Sequence, residues 1–275
     1  MARSILITGC STGIGRDAAL GLRDRGWRVF ASCRSETDCA ALRAQGLDSP
    51  RIDYGDPTSI GTGVAEVLDA TGGTLDALYN NGAYAIPGAL EDLPREALAA
   101  IFDTNLFGVH DLTCQVIPVM RAQGHGRIIN CSSVLGLVSS PWKGAYCATK
   151  FALEGLTDAL RIEMRDTPID VILLEPGPTA TEIRRNSIPH FETWIDWKNA
   201  PRRDQYERKL MPRLYQADRA GKPQLPASAV TRVLIRALDA RRPKARYRVT
   251  WQTGAAAVMR RAMPAWLIDR IMAQG

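Results

Sequence analysis

The sequence predicts a doubly wound α/β protein, one parallel sheet with helices on both faces. Three observations predict it. Short β-branched apolar runs alternate with helix-length amphipathic stretches along the chain. The apolar runs are nearly continuous, as strands covered on both faces must be. A glycine-rich turn from Gly9 to Gly15 joins the first apolar run to the first helical stretch.

In chain order, residues 4–8 read as the first strand and 14–25 as a helix stopped by Gly26. A strand over 27–33 and a helix over 36–45 follow, then a short third strand over 50–54. Pro57 opens the next helix, where its missing N–H costs nothing. A fourth strand is expected over 75–80, then a helix from Pro94 and a separate one over 106–123, closed by Gly124 and Gly126. Residues 127–132 form a fifth strand, 145–165 a long helix and 169–174 a sixth strand. Between about 179 and 226 the pattern dissolves into Pro, Trp and charges, as in a lid. Its aromatics Phe191, Trp194, Trp197, Tyr206 and Tyr215 either line a pocket for a bulky apolar molecule or pack the lid itself. A helix over 227–240, a strand over 245–250 and a basic amphipathic tail over 254–275, broken at Pro264, complete a single domain over 1–275.

The 275 residues carry Lys+Arg 35 against Asp+Glu 29, a net charge of +6. That balance suits a solvated basic surface or attraction of an anionic ligand. The arginines are spread along the sequence, which argues against nucleic-acid binding. The six cysteines have no CxxC spacing and read as reduced thiols, and the three histidines lie far apart, so no metal site is expected. No leader-like segment is visible, and no apolar run approaches the ~20 residues of a membrane span. The expected location is cytoplasmic.

Glycines at 9, 13 and 15 let the backbone turn sharply against a pyrophosphate. Ser11, Thr12 and Ile14 lie in the same loop, and the helix after it offers free N–H groups to the anion. The end of the second strand reads Ser32-Cys33-Arg34, with no acid to accept ribose hydroxyl hydrogen bonds. Arg34 is either an ordinary surface arginine or a fork for a 2′-phosphate, which favours NADP(H) over NAD(H).

Tyr146 and Lys150 stand one helical turn apart. An ammonium about 4 Å from the phenol would stabilise the phenolate by roughly 4 kcal/mol at an effective dielectric of 20, worth up to ~3 pKa units. Tyr146 would then serve as general acid in reduction and general base in oxidation. Ser133, just past the fifth strand, lies where a parallel sheet opens its crevice and could hold the substrate oxygen. Ser132 is its neighbour, expected to point to the other face.

The Gly-x-x-x-Gly-x-Gly spacing with Tyr146-x-x-x-Lys150 resembles the short-chain dehydrogenase/reductase family, specifically over 4–181. The resemblance implies a Rossmann fold, a nicotinamide cofactor and carbonyl–alcohol interconversion by hydride transfer. Within the family the chain looks most like NADP-dependent aldehyde reductases and hydroxysteroid- and retinol-type enzymes. By the same match Ser133, thirteen residues before Tyr146, is the catalytic serine, and Asn105 holds a water in a proton relay to Lys150. Tyr146 and Lys150 would also contact the cofactor, and Asp53 the adenine amine. The family's basic residue just before Gly13 is replaced by Thr12. Asn80-Asn81-Gly82-Ala83 resembles the family's Asn-Asn-Ala-Gly with the last two residues exchanged, so Ala83 would be strained if that position needs positive φ. Pro176 and Gly177 match the turn that cradles the nicotinamide, with Thr179 and Thr181 contacting its carboxamide. A small-molecule substrate and a homodimer or homotetramer are implied. Two competing readings remain, a protein that senses NADP(H) without turnover and a reductase on a membrane surface. The second would use an apolar tail face of Val258, Met259, Trp266, Leu267, Ile268, Ile271 and Met272 beside Arg260, Arg261 and Arg270. Packing of that tail on the domain or on a partner subunit is the plainer alternative.

Overall fold

The computed structural model describes residues 2–215 and 224–273. Six parallel strands form one sheet in the order β2-β1-β3-β4-β5-β6. They are β1 Ser4–Ile7, β2 Arg28–Ala31, β3 Ala77–Asn80, β4 Gly126–Cys131, β5 Ile169–Glu175 and β6 Arg246–Arg248. The helices around them are α1 Gly13–Arg23, α2 Glu36–Arg43, α3 Pro57–Thr71, α4 Arg95–Phe102, α5 Gly108–Gln123 and α6 Gly144–Glu163. Strand alternation sends Ile5 and Ile7 to one face, where they join Leu22 of α1 and Leu42 of α2. Leu6 and Leu78 go to the other, against Val64 of α3, Val116 of α5 and Leu153 of α6. Both faces are therefore core, which is why the strands read as unbroken apolar runs.

The expected third strand does not form. Residues 48–52 make only isolated bridges, Phe30 with Asp48 and Cys33 with Arg51. Pro50 has no N–H to donate, and the Ser49 hydroxyl takes the Ala31 carbonyl at 2.6 Å. The helices expected from Pro94 and over 106–123 are joined. A π-turn over Asp103–Phe107 carries the chain from α4 straight into α5.

The expected lid contains short helices: α7 Ile183–Asn186, α8 Ile188–Trp194, α9 Arg203–Gln205 and α10 Met211–Tyr215. Its portion over 216–223 lies outside the described residues. Phe191 and Tyr206 are fully buried against Ile101 and Ala145, so these two aromatics pack the lid onto α4 and α6. The Tyr206 hydroxyl donates to Asp92 at 2.7 Å and accepts the Ala89 N–H at 2.9 Å. After the lid come α11 Ala227–Asp239, α12 Trp251–Ala262 and α13 Ala265–Met272, the last two separated at Pro264 as expected. Of the tail's predicted apolar face, Ile268 and Met272 pack inward while Val258, Trp266 and Ile271 are exposed. Residues 274–275 of the expected tail lie outside the described residues.

Candidate active site

The strand order reverses between β1 and β3: from β1 the chain passes to β2 on one side and later to β3 on the other. Ligand crevices open beyond the carboxyl ends of strands at such a point. Here the loops after β1 and β3 meet. Gly9 has φ +68, and a Cβ on it would lie 2.7 Å from the Gly82 Cα, so the close approach demands glycine. Trp142 is the only non-glycine residue with positive φ among the described residues, so Ala83 is unstrained despite the exchanged order. The side chain of Asn81 braces the loop by donating to the Thr8 carbonyl at 3.0 Å.

α1 starts at Gly13 behind Thr12, which is extended and makes no side-chain cap, and no acid stands in its first turn. In contrast, α2 and α3 are capped by Ser35 and Asp56. The uncapped N–H groups and the positive end of the helix dipole fit a pyrophosphate. Thr181 lies against Gly13, which brings the segment after β5 to the same loop.

Asn80, expected from the family match to be a cofactor contact, ends β3 with its side chain bound within the protein. Its amide accepts from the Tyr54 hydroxyl at 2.7 Å and donates to Thr113 at 3.0 Å and to Asn130 at 2.8 Å. The side chain is thus committed to tying the loops to the sheet. Thr8, which bonds Tyr54 at 2.8 Å and accepts from Asn81 and Gly82 at 3.0 Å, extends this buried chain. Sequence reading missed Tyr54, Thr8 and Asn130, because only the fold brings them together.

Arg34 is exposed at the end of β2, and no carboxylate pairs with it among the described residues. It is free to meet an anion at the ribose end of a dinucleotide. Asp53 holds a turn, its carboxylate accepting the Gly55 N–H at 3.1 Å and its own N–H donating to Ser59 at 3.0 Å.

At the end of β4, Ser133 is extended, its hydroxyl accepts the Leu135 N–H at 3.1 Å, and it lies close enough to the Tyr146 phenol to lower its pKa. Ser132 points elsewhere, its buried hydroxyl toward Glu154. Lys150 is buried one turn beyond Tyr146 and donates to the Cys131 carbonyl at 2.7 Å. Its ammonium stands 5.6 Å from the centroid of the Tyr146 ring. The spacing suggested an ammonium about 4 Å from the phenol, and the structure adds a second partner for it, the Cys131 carbonyl. Burial pushes Tyr146 well above the ordinary phenol range, and the Ser133 hydroxyl opposes that only in part. Burial also lowers the Lys150 ammonium.

Asn105 lies in the π-turn and is fully buried. Its side chain accepts the Tyr84 N–H at 3.0 Å and donates to the Tyr84 carbonyl at 2.8 Å. It thereby fixes the loop after β3, and the Tyr84 ring stacks on His190 of α8 with centroids 4.1 Å apart. Both amide N–H groups of Asn105 are taken, by the Tyr84 carbonyl and by the Thr149 hydroxyl at 3.2 Å. The Pro-Gly turn is tied to the serine segment, since the Val134 N–H donates to the Pro176 carbonyl at 2.8 Å. Thr179 closes that turn onto the Gly177 carbonyl at 3.0 Å. Nothing in the local sequence marks Trp142. Its φ of 66 is sustained by the Gly88 N–H on its carbonyl at 3.0 Å and by the Tyr206 ring 5.0 Å away.

A glycine loop at the switch point, an uncapped helix behind it and polar side chains along the carboxyl edge define the class: a dinucleotide-fold α/β protein. The chain belongs to the short chain dehydrogenase family, whose sequence pattern matches residues 3–191. It is an oxidoreductase of that family. It is 36% identical over 272 residues to the uncharacterized oxidoreductase YbbO of Escherichia coli, covering 99% of this chain and 94% of that one. It is 31% identical over 278 residues to human retinol dehydrogenase 16, covering 98% and 87%. Among solved structures, a short chain dehydrogenase/reductase from Burkholderia phymatum in complex with NAD aligns with a TM-score of 0.80 at 26% identity. That alignment covers 94% of this chain and 93% of that one. No helix among the described residues is long and apolar enough to cross a membrane.

Proposed function

We propose that this oxidoreductase interconverts a carbonyl and an alcohol with NADP(H), acting on an apolar small molecule. The observation that carries the reading is the convergence at the carboxyl edge of β4 of Ser133 with Tyr146 and the buried Lys150 of α6, whose ammonium is held by the Cys131 carbonyl at 2.7 Å. The glycine loop from Gly9 to Gly15, with Ser11, Thr12 and Ile14, would hold the pyrophosphate, and Arg34 the 2′-phosphate. Asp53 would sit near the adenine, and Pro176, Gly177, Thr179 and Thr181 would cradle the nicotinamide. The bound nicotinamide supplies or accepts the hydride. Tyr146 gives its phenolic proton to the carbonyl oxygen, or takes one from the alcohol, and Ser133 holds that oxygen. Lys150 steadies the charge on Tyr146 and holds ribose hydroxyls, and the Asn105 backbone positions water that returns the proton.

An apolar substrate agrees with the aromatic surroundings of Tyr146, where Trp142, Trp194 and Trp197 are half-buried. It also agrees with the likeness to a retinol dehydrogenase. The protein is proposed to act in the cytoplasm as one domain. It would pair through the helices after β3 and β4, where Phe107 and Ile162 are exposed. The test is NADPH consumption across aldehydes, ketones, steroids and retinoids. Turnover concentrated among lipophilic carbonyls is expected, and an inert protein across the whole panel refutes the reading.

A further inference from the structure

The C-terminal tail is built onto the site described above. Thr250 caps α12 by accepting the Thr253 N–H at 3.2 Å, and its side chain lies directly on Gly177 of the Pro-Gly turn. Ala256 and Ala257 of α12 pack on Leu137 and Val138, just beyond Ser133. Arg260 donates to the Gly136 carbonyl at 3.2 Å and covers the Phe151 ring, one residue past Lys150.

The opposite side of the tail faces outward. Thr253, Ala256 and Ala257 define the buried side of α12. At 100° per residue Trp251 and Val258 stand on the far side, and they are 77% and 62% exposed. In α13, Ile268 and Met272 pack inward, while Trp266 and Ile271 are 66% and 42% exposed. Five of the twelve large apolar side chains exposed among the described residues, counting Met263, lie in this tail. Single exposed apolar residues need no explanation, but five within residues 251–271, two of them tryptophans, do.

Charge gathers in the same region. Residues 241–275 contain eight Lys or Arg and one Asp, a net +7, while the whole chain carries +6. Arg246 and Arg248 are paired with buried carboxylates. Arg241, Arg242, Lys244, Arg261 and Arg270 are exposed and have no carboxylate partner among the described residues.

We propose that this tail is an interfacial anchor lying in the headgroup layer of an anionic lipid bilayer. Trp251, Val258, Trp266 and Ile271 insert, and Arg261 and Arg270 meet lipid phosphates. Tryptophan favours this layer because its ring is apolar and its N–H polar. α12 and α13 are too short to span a membrane but long enough to lie along its surface. Charge argues against a second copy on this face, because a two-fold interface would set the same surplus of arginines against itself. The anchor places the segment after Ser133 and the Pro-Gly turn, on which α12 packs, beside the lipid surface, where an apolar carbonyl compound partitions. That last step rests on the substrate class proposed above, whereas the anchor itself does not.

The test is flotation of the full chain with vesicles of phosphatidylcholine alone and of equimolar phosphatidylcholine and phosphatidylglycerol. Binding to the anionic vesicles that weakens with salt is expected. Trp266→Ser with Ile271→Ser should lower the bound-to-free ratio by roughly tenfold or more. Arg270→Glu should lower it by at least about fivefold. These side chains are exposed, so the variants should keep wild-type turnover of a water-soluble aldehyde. Absence of vesicle binding, or binding indifferent to the Trp266 and Ile271 substitutions, overturns the anchor. A dimer in sedimentation velocity that those same substitutions dissociate overturns it too, by assigning the face to a subunit contact. A protein that floats with vesicles yet reduces no carbonyl supports the anchor and ends the functional reading alone.

Discussion

The Lys150 ammonium donates to the Cys131 carbonyl at 2.7 Å, bolting the first turns of α6 to the end of β4 two residues before Ser133. A buried ammonium with a backbone partner has a fixed position, and this one lies 5.6 Å from the Tyr146 ring centroid. Lys150→Met removes both the charge and the donor. Turnover should fall by about 10²- to 10⁴-fold, the range of a lost acid–base contribution. Lys150→Arg keeps the charge but places a wider planar fork in a slot shaped for an ammonium, and should rescue only part of that loss. Steady-state rates with NADPH check both, and wild-type turnover in the Met variant would sink the assignment.

The direction of the Tyr146 shift sets the pH profile. Burial raises the phenol and the Ser133 hydroxyl lowers it in part, so the proton stays on at neutral pH. Carbonyl reduction needs that proton and should hold its rate through neutral pH. Alcohol oxidation needs the phenolate and should rise as pH rises. Ser133→Ala removes a group that lowers the phenol, so the rising limb of oxidation should move to higher pH. Profiles of kcat against pH decide it, and a limb that moves to lower pH contradicts the argument. Tyr146→Phe should lose about 10²- to 10⁴-fold in both directions while still binding the nucleotide.

Arg34 should decide between the two nicotinamide cofactors. A hydrogen bond to a charged group is worth about 1.5–3 kcal/mol. Arg34→Ala should therefore weaken NADPH by roughly 10- to 100-fold and leave NADH nearly unchanged. Fluorescence titration of both cofactors measures this, and equal losses for the two would remove Arg34 from phosphate recognition.

What the sequence made legible was local chemistry. Glycine and turn geometry marked the loop from Gly9, the missing N–H of Pro57 marked a helix start, and one-turn spacing paired Tyr146 with Lys150. What it hid depended on distant partners. A short third strand was expected over 50–54, but Pro50 and the Ser49 hydroxyl deny it a ladder with β2. Asn105 was expected at the break between two helices, whereas its contacts with Tyr84, twenty-one residues away, accompany a π-turn in a continuous one. The spacing of Tyr146 and Lys150 was read correctly. What it could not show is that the Lys150 ammonium also donates to the Cys131 carbonyl, a partner nineteen residues away.

The buried carboxylate of Glu175, just before the Pro-Gly turn, supplies the last prediction. Glu175 is fully buried, and Arg246 donates to it at 2.6 Å. The same guanidinium contacts Glu154, which lies one turn beyond Lys150 on α6. Burial raises Glu154, the nearby Glu175 adds to the rise, and Arg246 opposes it. Arg246 thus holds three carboxylates together behind the site, Glu154, Asp158 and Glu175, and joins β6, β5 and α6. Arg246→Ala leaves only Arg248, 3.3 Å from Glu175, to meet this charge. Losing one partner of a buried ion pair costs about 3–5 kcal/mol, and the remaining arginine should keep the loss near the lower end. A two-step restoration checks the cause. Glu175→Gln in the Arg246→Ala background removes the uncompensated charge and should recover part of the stability, as urea midpoints would show. If the double variant is no more stable than Arg246→Ala, the loss comes from the packing of the arginine stem, and charge compensation is not what Arg246 provides.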